Sequence, residues 1–238
     1  MLAQGAPGNQ KREVPKCGPA AMPNLQSAPS MEATFAADLE ERVFEGFAAD
    51  RIAGLVPVGA DRLDPLLRCV LFTDGTVTRA LEAQMLTGVR VEVLAQERVR
   101  TPAAAAASLA LPPGAVAIRR RVAMTAARNG ATVARAESYV VPGRLPRDFP
   151  ATLEASPKGI GESLHRAHLE SRRELIAFGL DRGAGWAPGA SVETVLVRLY
   201  RLVTGGRAAM LIREEFPAQE AAGTYSLAAA PLTAVAAS

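Results

Sequence analysis

A chain of 238 residues with 49% apolar and 21% charged residues is long and apolar enough to bury one large core, or less simply two small ones. Its net charge of +3 is scattered without a long Lys/Arg run, and only 5% of residues are aromatic, so it lacks the stacking platform of a single-strand binder and fits an anionic small molecule at least as well as nucleic acid. The two cysteines, Cys17 and Cys69, are too few for a disulfide framework or a Cys-rich metal site.

Residues 1–34 are rich in Gly, Pro, Ala, Gln and Ser without periodicity and read as a disordered extension. They contain no apolar signal region, and no segment is long enough to span a bilayer, which predicts a cytoplasmic protein with no membrane partner. A single domain is expected over residues 35–226, with a loose tail over 227–238. The stretch "AADLEERVFEGFAADRIAGL" reads as an amphipathic helix. Cys69 sits in the apolar run "LLRCVLF" and is expected in the core. Thr76 or Asp74 is positioned to cap a helix that carries Val77, Leu81 and Met85 along one stripe.

From there the pattern turns to strands. "VRVEVLAQ" alternates, "RTPAAAAASLALPPG" reads as a spacer, and "AVAIRRRVAM" and "ATVARAESYVVP" flank an Asn129-Gly130 hairpin turn. "GIGESLHRAHLESRRELIAFGL" reads as the best helix in the chain, with Ile160, Leu164, Ala167, Leu175 and Phe178 on one side. A second hairpin, "ETVLVRLYRLV" into "AAMLIREEF", turns at Gly205-Gly206. Paired strands without βαβ alternation predict an α+β fold: an antiparallel sheet with helices packed on one face.

Two charges fall on apolar faces of these strands. Met210, Ile212 and Phe216 share a face with Glu214, while Leu211, Arg213 and Glu215 point the other way. In the middle strand Ile118, Val122 and Met124 share a face with Arg120, flanked by Arg119 and Arg121 on the opposite side. An unpaired buried carboxylate costs several kcal/mol or takes up a proton, so a reason for Glu214 is required. Two readings stand: a buried Arg120–Glu214 ion pair, or a site in which Arg120 grips a ligand carboxylate through its planar fork. If the Gly-Gly turn closes a two-residue hairpin, Val197, Leu199 and Arg201 join the Glu214 face, and Arg201 is either a second site cation or a charge reaching past the sheet edge. His165 and His168 lack the further His or Cys needed to complete a metal site. No Ser-centred elbow, P-loop or GxGxxG is present.

With these residues in view, the chain resembles the chorismate pyruvate-lyase (4-hydroxybenzoate synthase) family, closest to its actinobacterial and archaeal branch, over roughly residues 60–217. The resemblance rests on "FTDGTVTRALEA", "AIRRRV", "AESYVVPGRLP", "GIGESL" with "AHLESRRE", and "LYRLVTGGRAAMLIREEFP" in that order. It implies an antiparallel sheet with helices on one face and a ligand buried beneath flaps. It also implies that Glu214 is the catalytic glutamate, with Glu215 the neighbouring alternative, and that Arg120 binds the substrate carboxylate. Ile160 and Gly161 then contact the ligand through the main chain, and Val77 with its neighbour Thr78 lines the pocket. Val77 stands where the best-known enzyme of the family has methionine.

The implied reaction converts chorismate to 4-hydroxybenzoate and pyruvate without a metal or redox cofactor, in a monomer or homodimer that binds no nucleic acid. Two alternatives accompany it. The same fold serves as the effector-sensing domain of bacterial transcription regulators, although the residues before position 60 offer too little for a winged helix-turn-helix. A lyase giving a different hydroxybenzoate is the other.

Overall fold

Asn129-Gly130 and Gly205-Gly206 set the frame of the molecule, since Gly130, Gly205 and Gly206 all adopt positive φ (71°, 53° and 73°), the backbone geometry that hairpin turns require. The structure is a computed structural model that describes residues 55–155, 159–181 and 194–228. In chain order its regular elements are α1 (Pro65–Phe72), α2 (Val77–Met85), β1 (Val89–Arg100), α3 (Ala103–Ser108), β2 (Val116–Ala126), β3 (Thr132–Val140), α4 (Phe149–Ala155), α5 (Ile160–Arg166), β4 (Arg172–Asp181), β5 (Val195–Thr204), β6 (Arg207–Ala221) and β7 (Thr224–Leu227). The strands form a seven-stranded sheet in the order β1-β2-β3-β6-β5-β4, with β7 paired to the far end of β6. Every strand pair is antiparallel. The α+β reading therefore holds.

Most of the helical mass covers one face. Pro65 opens α1 at a position where its missing N–H costs nothing, and the Asp64 side chain accepts from the Leu67 N–H at 2.7 Å. Leu67, Val70 and Leu71 of α1 join Val77, Leu81 and Met85 of α2 in a core with Val122, Met124, Leu196 and Phe216 of the sheet. A second core on this face packs Phe149, Leu153 and Leu164 against Ile118, Val140, Leu202 and Ile212. Full burial of each such Leu or Phe contributes about 1.5–3 kcal/mol. Between the two cores the face is polar.

Several expectations need correction. The run from Gly159 to Leu180 is not one helix: α5 ends at Arg166, His168 adopts a left-handed φ of 49°, and β4 follows. Pairing with β5 over the whole of β4 supplies backbone hydrogen bonds that override the helical spacing of Leu175 and Phe178. The alanine-rich spacer contains α3, whose Ala105 packs with Leu109, Val141, Ile176 and Leu211 on the opposite face of the sheet. Cys69 is exposed, because the α1 stripe of Leu67, Val70 and Leu71 turns it outward. Thr76 is the N-cap residue of α2 but makes no side-chain cap, while Asp74 accepts instead from the Arg173 N–H at 2.7 Å. The helix expected over 36–55 lies, but for Leu55, outside the described residues. Among the described residues no helix is long and apolar enough to cross a membrane.

Removing the α1 cap should show in stability alone. Asp64→Ala is expected to lower the unfolding free energy by about 1 kcal/mol in urea titration, with the slope of the transition unchanged.

Candidate active site

Glu214 does face the helices. Within β6 the residues Met210, Ile212 and Phe216 are buried on the same side, and Glu214 is only 6% exposed among them. Its charge is met by a residue the sequence reading passed over. Arg198 sits directly across the β5–β6 ladder from Glu214 and donates from Nε to its Oε2 at 2.8 Å. Tyr200, two residues along on the same face, donates its hydroxyl to Oε1 at 3.1 Å. Burial and the adjacent Glu214 charge both push the Tyr200 phenol far above its ordinary pKa, so it serves as a neutral donor.

Arg201 is not in the site. The β5–β6 register slips by one residue between Leu202 and Val203, where Ala209 is left without an opposite partner. Such a bulge flips the face of everything beyond it. Arg198, Tyr200 and Leu202 therefore take the side that the unbroken hairpin would have given to Val197, Leu199 and Arg201. Arg201 instead points outward and pairs with Glu174 at 2.9 Å. The signal that could have found Arg198 was a single cation inside the apolar run "VLVRLY".

Arg120 is buried on the expected face, 2% exposed, but it does not pair with Glu214. It lies on β2, two strands from β6, roughly 10 Å to the side. Its Nη1 donates to Gln96 Oε1 at 2.5 Å and to the Leu153 carbonyl at 2.9 Å. Burial lowers its pKa from the ordinary arginine value, the direction expected where the charged form gives up water. The simple Arg120–Glu214 ion pair is thus excluded. Glu215 faces the other way, where Arg213 donates to it at 2.9 Å, and Arg119 on that same side pairs with Glu97 at 2.9 Å.

Between Arg120 and Glu214 lies a cavity of about 50 Å³. Val77, Thr78, Ile160 and Gly161 line it together with Arg120 and Glu214, so the residues singled out from sequence converge on one space. The start of α2 and the start of α5 form its wall. They meet closely: a Cβ on Gly161 would come within 3.1 Å of the Thr76 side chain. Arg198, Tyr200 and Arg173 complete the lining. Arg173 owes its place to another irregularity, a register shift between Leu175 and Ala177 in β4. Without it, the alternation set by Phe178 and Leu180 would have sent Arg172 and Glu174 inward. The convergent polar groups around this cavity suit a small organic anion. Among the described residues no cluster of His, Cys, Asp or Glu could hold a metal ion.

A family model described as chorismate pyruvate-lyase Rv2949c-like matches residues 71–222. The chain belongs to this family. The matched segment carries every residue that lines the cavity, from Thr76 to Glu214. Comparison with curated proteins finds no match. Among solved structures, the effector domain of PhnF from Mycobacterium smegmatis is similar at 14% identity, covering 61% of this chain and 90% of that one, with a TM-score of 0.48. The ligand-binding domain of a putative GntR-family regulator from Bordetella bronchiseptica is similar at 16% identity over 60% and 91% of the two chains, TM-score 0.42. A putative transcriptional regulator from Streptomyces coelicolor follows at 19% identity over 61% and 97%, TM-score 0.43. In this chorismate pyruvate-lyase family member the Arg198–Glu214 charge pair lines the cavity, and that pairing can be measured.

Arg198→Met leaves the buried Glu214 carboxylate without its cation and should cost about 3–5 kcal/mol in urea unfolding. Adding Glu214→Gln removes the stranded charge, and the pair should show a coupling of about 0.5–3 kcal/mol in a double-mutant cycle. Recovery stays incomplete because Arg198 Nη1 also donates to the Val70 and Leu71 carbonyls at the end of α1.

Proposed function

We propose that the protein is a chorismate pyruvate-lyase that converts chorismate to 4-hydroxybenzoate and pyruvate. The observation that carries this reading is the placement of Arg120 and Glu214, opposite charges on different strands, on one cavity, with each held by other protein groups. Chorismate is a carboxylate with a hydroxyl at the para carbon, C4, and an enolpyruvyl ether at C3. Arg120 grips the ring carboxylate through its fork. Glu214, fixed by Arg198 and Tyr200, accepts a hydrogen bond from the C4 hydroxyl and so sets the ring across the cavity.

In the reaction the C3–O bond breaks and its electron pair leaves with the enolpyruvyl oxygen. The C4–H bond supplies the electrons that complete the aromatic ring. The proton lost from C4 balances the one that the enolpyruvate methylene gains on becoming pyruvate. Aromatisation provides the driving force, so the chain's share is orientation and charge placement. Arg120 draws electron density toward the ring carboxylate, and the cations around the cavity favour negative charge on the departing enolpyruvate. Burial keeps these interactions strong by excluding water. The protein then needs only its substrate and product as partners, with no cofactor.

The deciding experiment is incubation of the purified protein with chorismate and identification of the aromatic product. 4-Hydroxybenzoate with an equal amount of pyruvate supports the proposal. A different hydroxybenzoate would make it a lyase of other regiochemistry. Tight binding of 4-hydroxybenzoate with no turnover would make the cavity an effector-sensing site. Glu214→Gln removes the countercharge of Arg198, so it is expected to fold with lowered stability and to lose most turnover, whereas Glu215→Gln, on the far face, should retain turnover. Arg120→Ala should weaken 4-hydroxybenzoate binding by about 2–5 kcal/mol in calorimetric titration. Arg119→Ala and Arg121→Ala should change it far less.

A further inference from the structure

The face of the sheet away from the cavity has one place where its charges do not balance. There the β5–β6 hairpin, the start of β4 and the end of α3 enclose an open pocket of about 290 Å³. Four guanidiniums line it, those of Arg144, Arg172, Arg201 and Arg207, against the single carboxylate of Glu174. The pocket therefore carries an excess of three positive charges, as large as the formal net charge of the whole chain. A cleft lined by one sign of charge focuses its field and concentrates ions of the other sign.

Glu174 is already shared. Its Oε1 accepts from Arg172 Nη2 at 2.7 Å, and its Oε2 lies 2.9 Å from Arg201 Nη2, so one negative charge is divided between two cations. Arg144, just past β3, is held by main chain instead: Nη1 donates to the Ala208 carbonyl at 2.7 Å and Nη2 to the Ala110 carbonyl at 2.9 Å. Carbonyls orient a guanidinium without cancelling its charge. Burial, and after it the nearby Arg207 charge, lower the Arg144 pKa, so these two cations act on one another. The pocket is separate from the cavity. Arg173 and Tyr200 line the cavity, while their chain neighbours Arg172 and Arg201 line the pocket, so β4 and β5 run between the two.

We propose that this outer pocket is a binding site for the phosphate groups of a small ligand, with a diphosphate the best match. Guanidinium forks fit phosphate oxygens two at a time, and Arg144 is oriented for this in advance by its carbonyls. A diphosphate, with several negative charges at neutral pH, answers the excess that Glu174 leaves. The pocket is concave and open, which admits such a group at one end of a larger molecule. Neither chorismate nor 4-hydroxybenzoate contains phosphate, so the ligand is distinct from the proposed substrate and product.

Calorimetric titration of the full chain with inorganic diphosphate tests this. Binding is expected, and it should weaken as salt is raised. Arg207→Ala and Arg172→Ala should each lower the affinity by about fivefold or more. Arg98→Ala removes the same charge from an exposed position on β1 and should change it by less than about twofold. Glu174→Gln removes the one opposing charge and should raise the affinity. ADP binding as tightly as inorganic diphosphate would mark a phosphate ester as the ligand, and weaker ADP binding would mark the free anion; either result supports the site. Absence of diphosphate binding overturns the proposal, as do equal losses at Arg98 and Arg207. Equally tight binding of hexaglutamate also overturns it, since the pocket would then be reading charge alone.

Discussion

The Arg198–Glu214 pair is the interaction on which the rest of this structure depends. Two opposite charges on neighbouring strands, both nearly free of water, would be a poor source of stability by themselves, since desolvation consumes most of their attraction. What they provide is position. Burial pulls the Arg198 pKa down, yet the attraction of Glu214 and Tyr200 outweighs it and holds the guanidinium charged. The same guanidinium accepts no role in the hydrophobic cores but ties the carbonyl end of α1 to β5 through Leu71. One side chain thereby fixes both the glutamate and the helix before the cavity wall.

Two irregularities in the sheet decide which charges meet there. The slip at Ala209 turns Arg198 and Tyr200 inward and Arg201 outward, and the slip at Ile176 turns Arg173 inward and Arg172 outward. In a sheet with side-chain period two, each unit shift exchanges a whole face for its opposite. The inward set is cationic around one carboxylate, and the outward set is neutralised locally: Arg201 by Glu174, Arg213 by Asp181 and Glu215, Arg119 by Glu97. The two faces therefore differ in charge balance. Except at the pocket beside Arg207, outward charges are paired with one another, while the inward set leaves cations in excess around the cavity.

This division fits a reaction that needs placement more than chemistry. In the proposed lyase reaction, a substrate that aromatises on losing pyruvate requires its ring held at one end and its departing anion favoured at the other. Rigid strands hold such groups more accurately than loops do. The remaining wall is formed where the short helices α2 and α5 approach at Thr76 and Gly161.

The amino-acid sequence by itself determined the antiparallel hairpins, the α2 stripe of Val77, Leu81 and Met85, and the inward aim of Arg120 and Glu214, because alternation and helical spacing are local properties read over a few residues. The resemblance of its ordered segments added Ile160, Gly161, Val77 and Thr78, and these line the same cavity as the two charges. Only the tertiary structure decided the partner of Glu214, since a one-residue bulge leaves no mark in hydrophobic pattern yet reverses a strand's faces. It also decided that residues 172–181 form a strand, where pairing with β5 outweighed a helical spacing that the chain alone displays. Register and pairing are set between segments distant in sequence, and no window along the chain contains both sides of them.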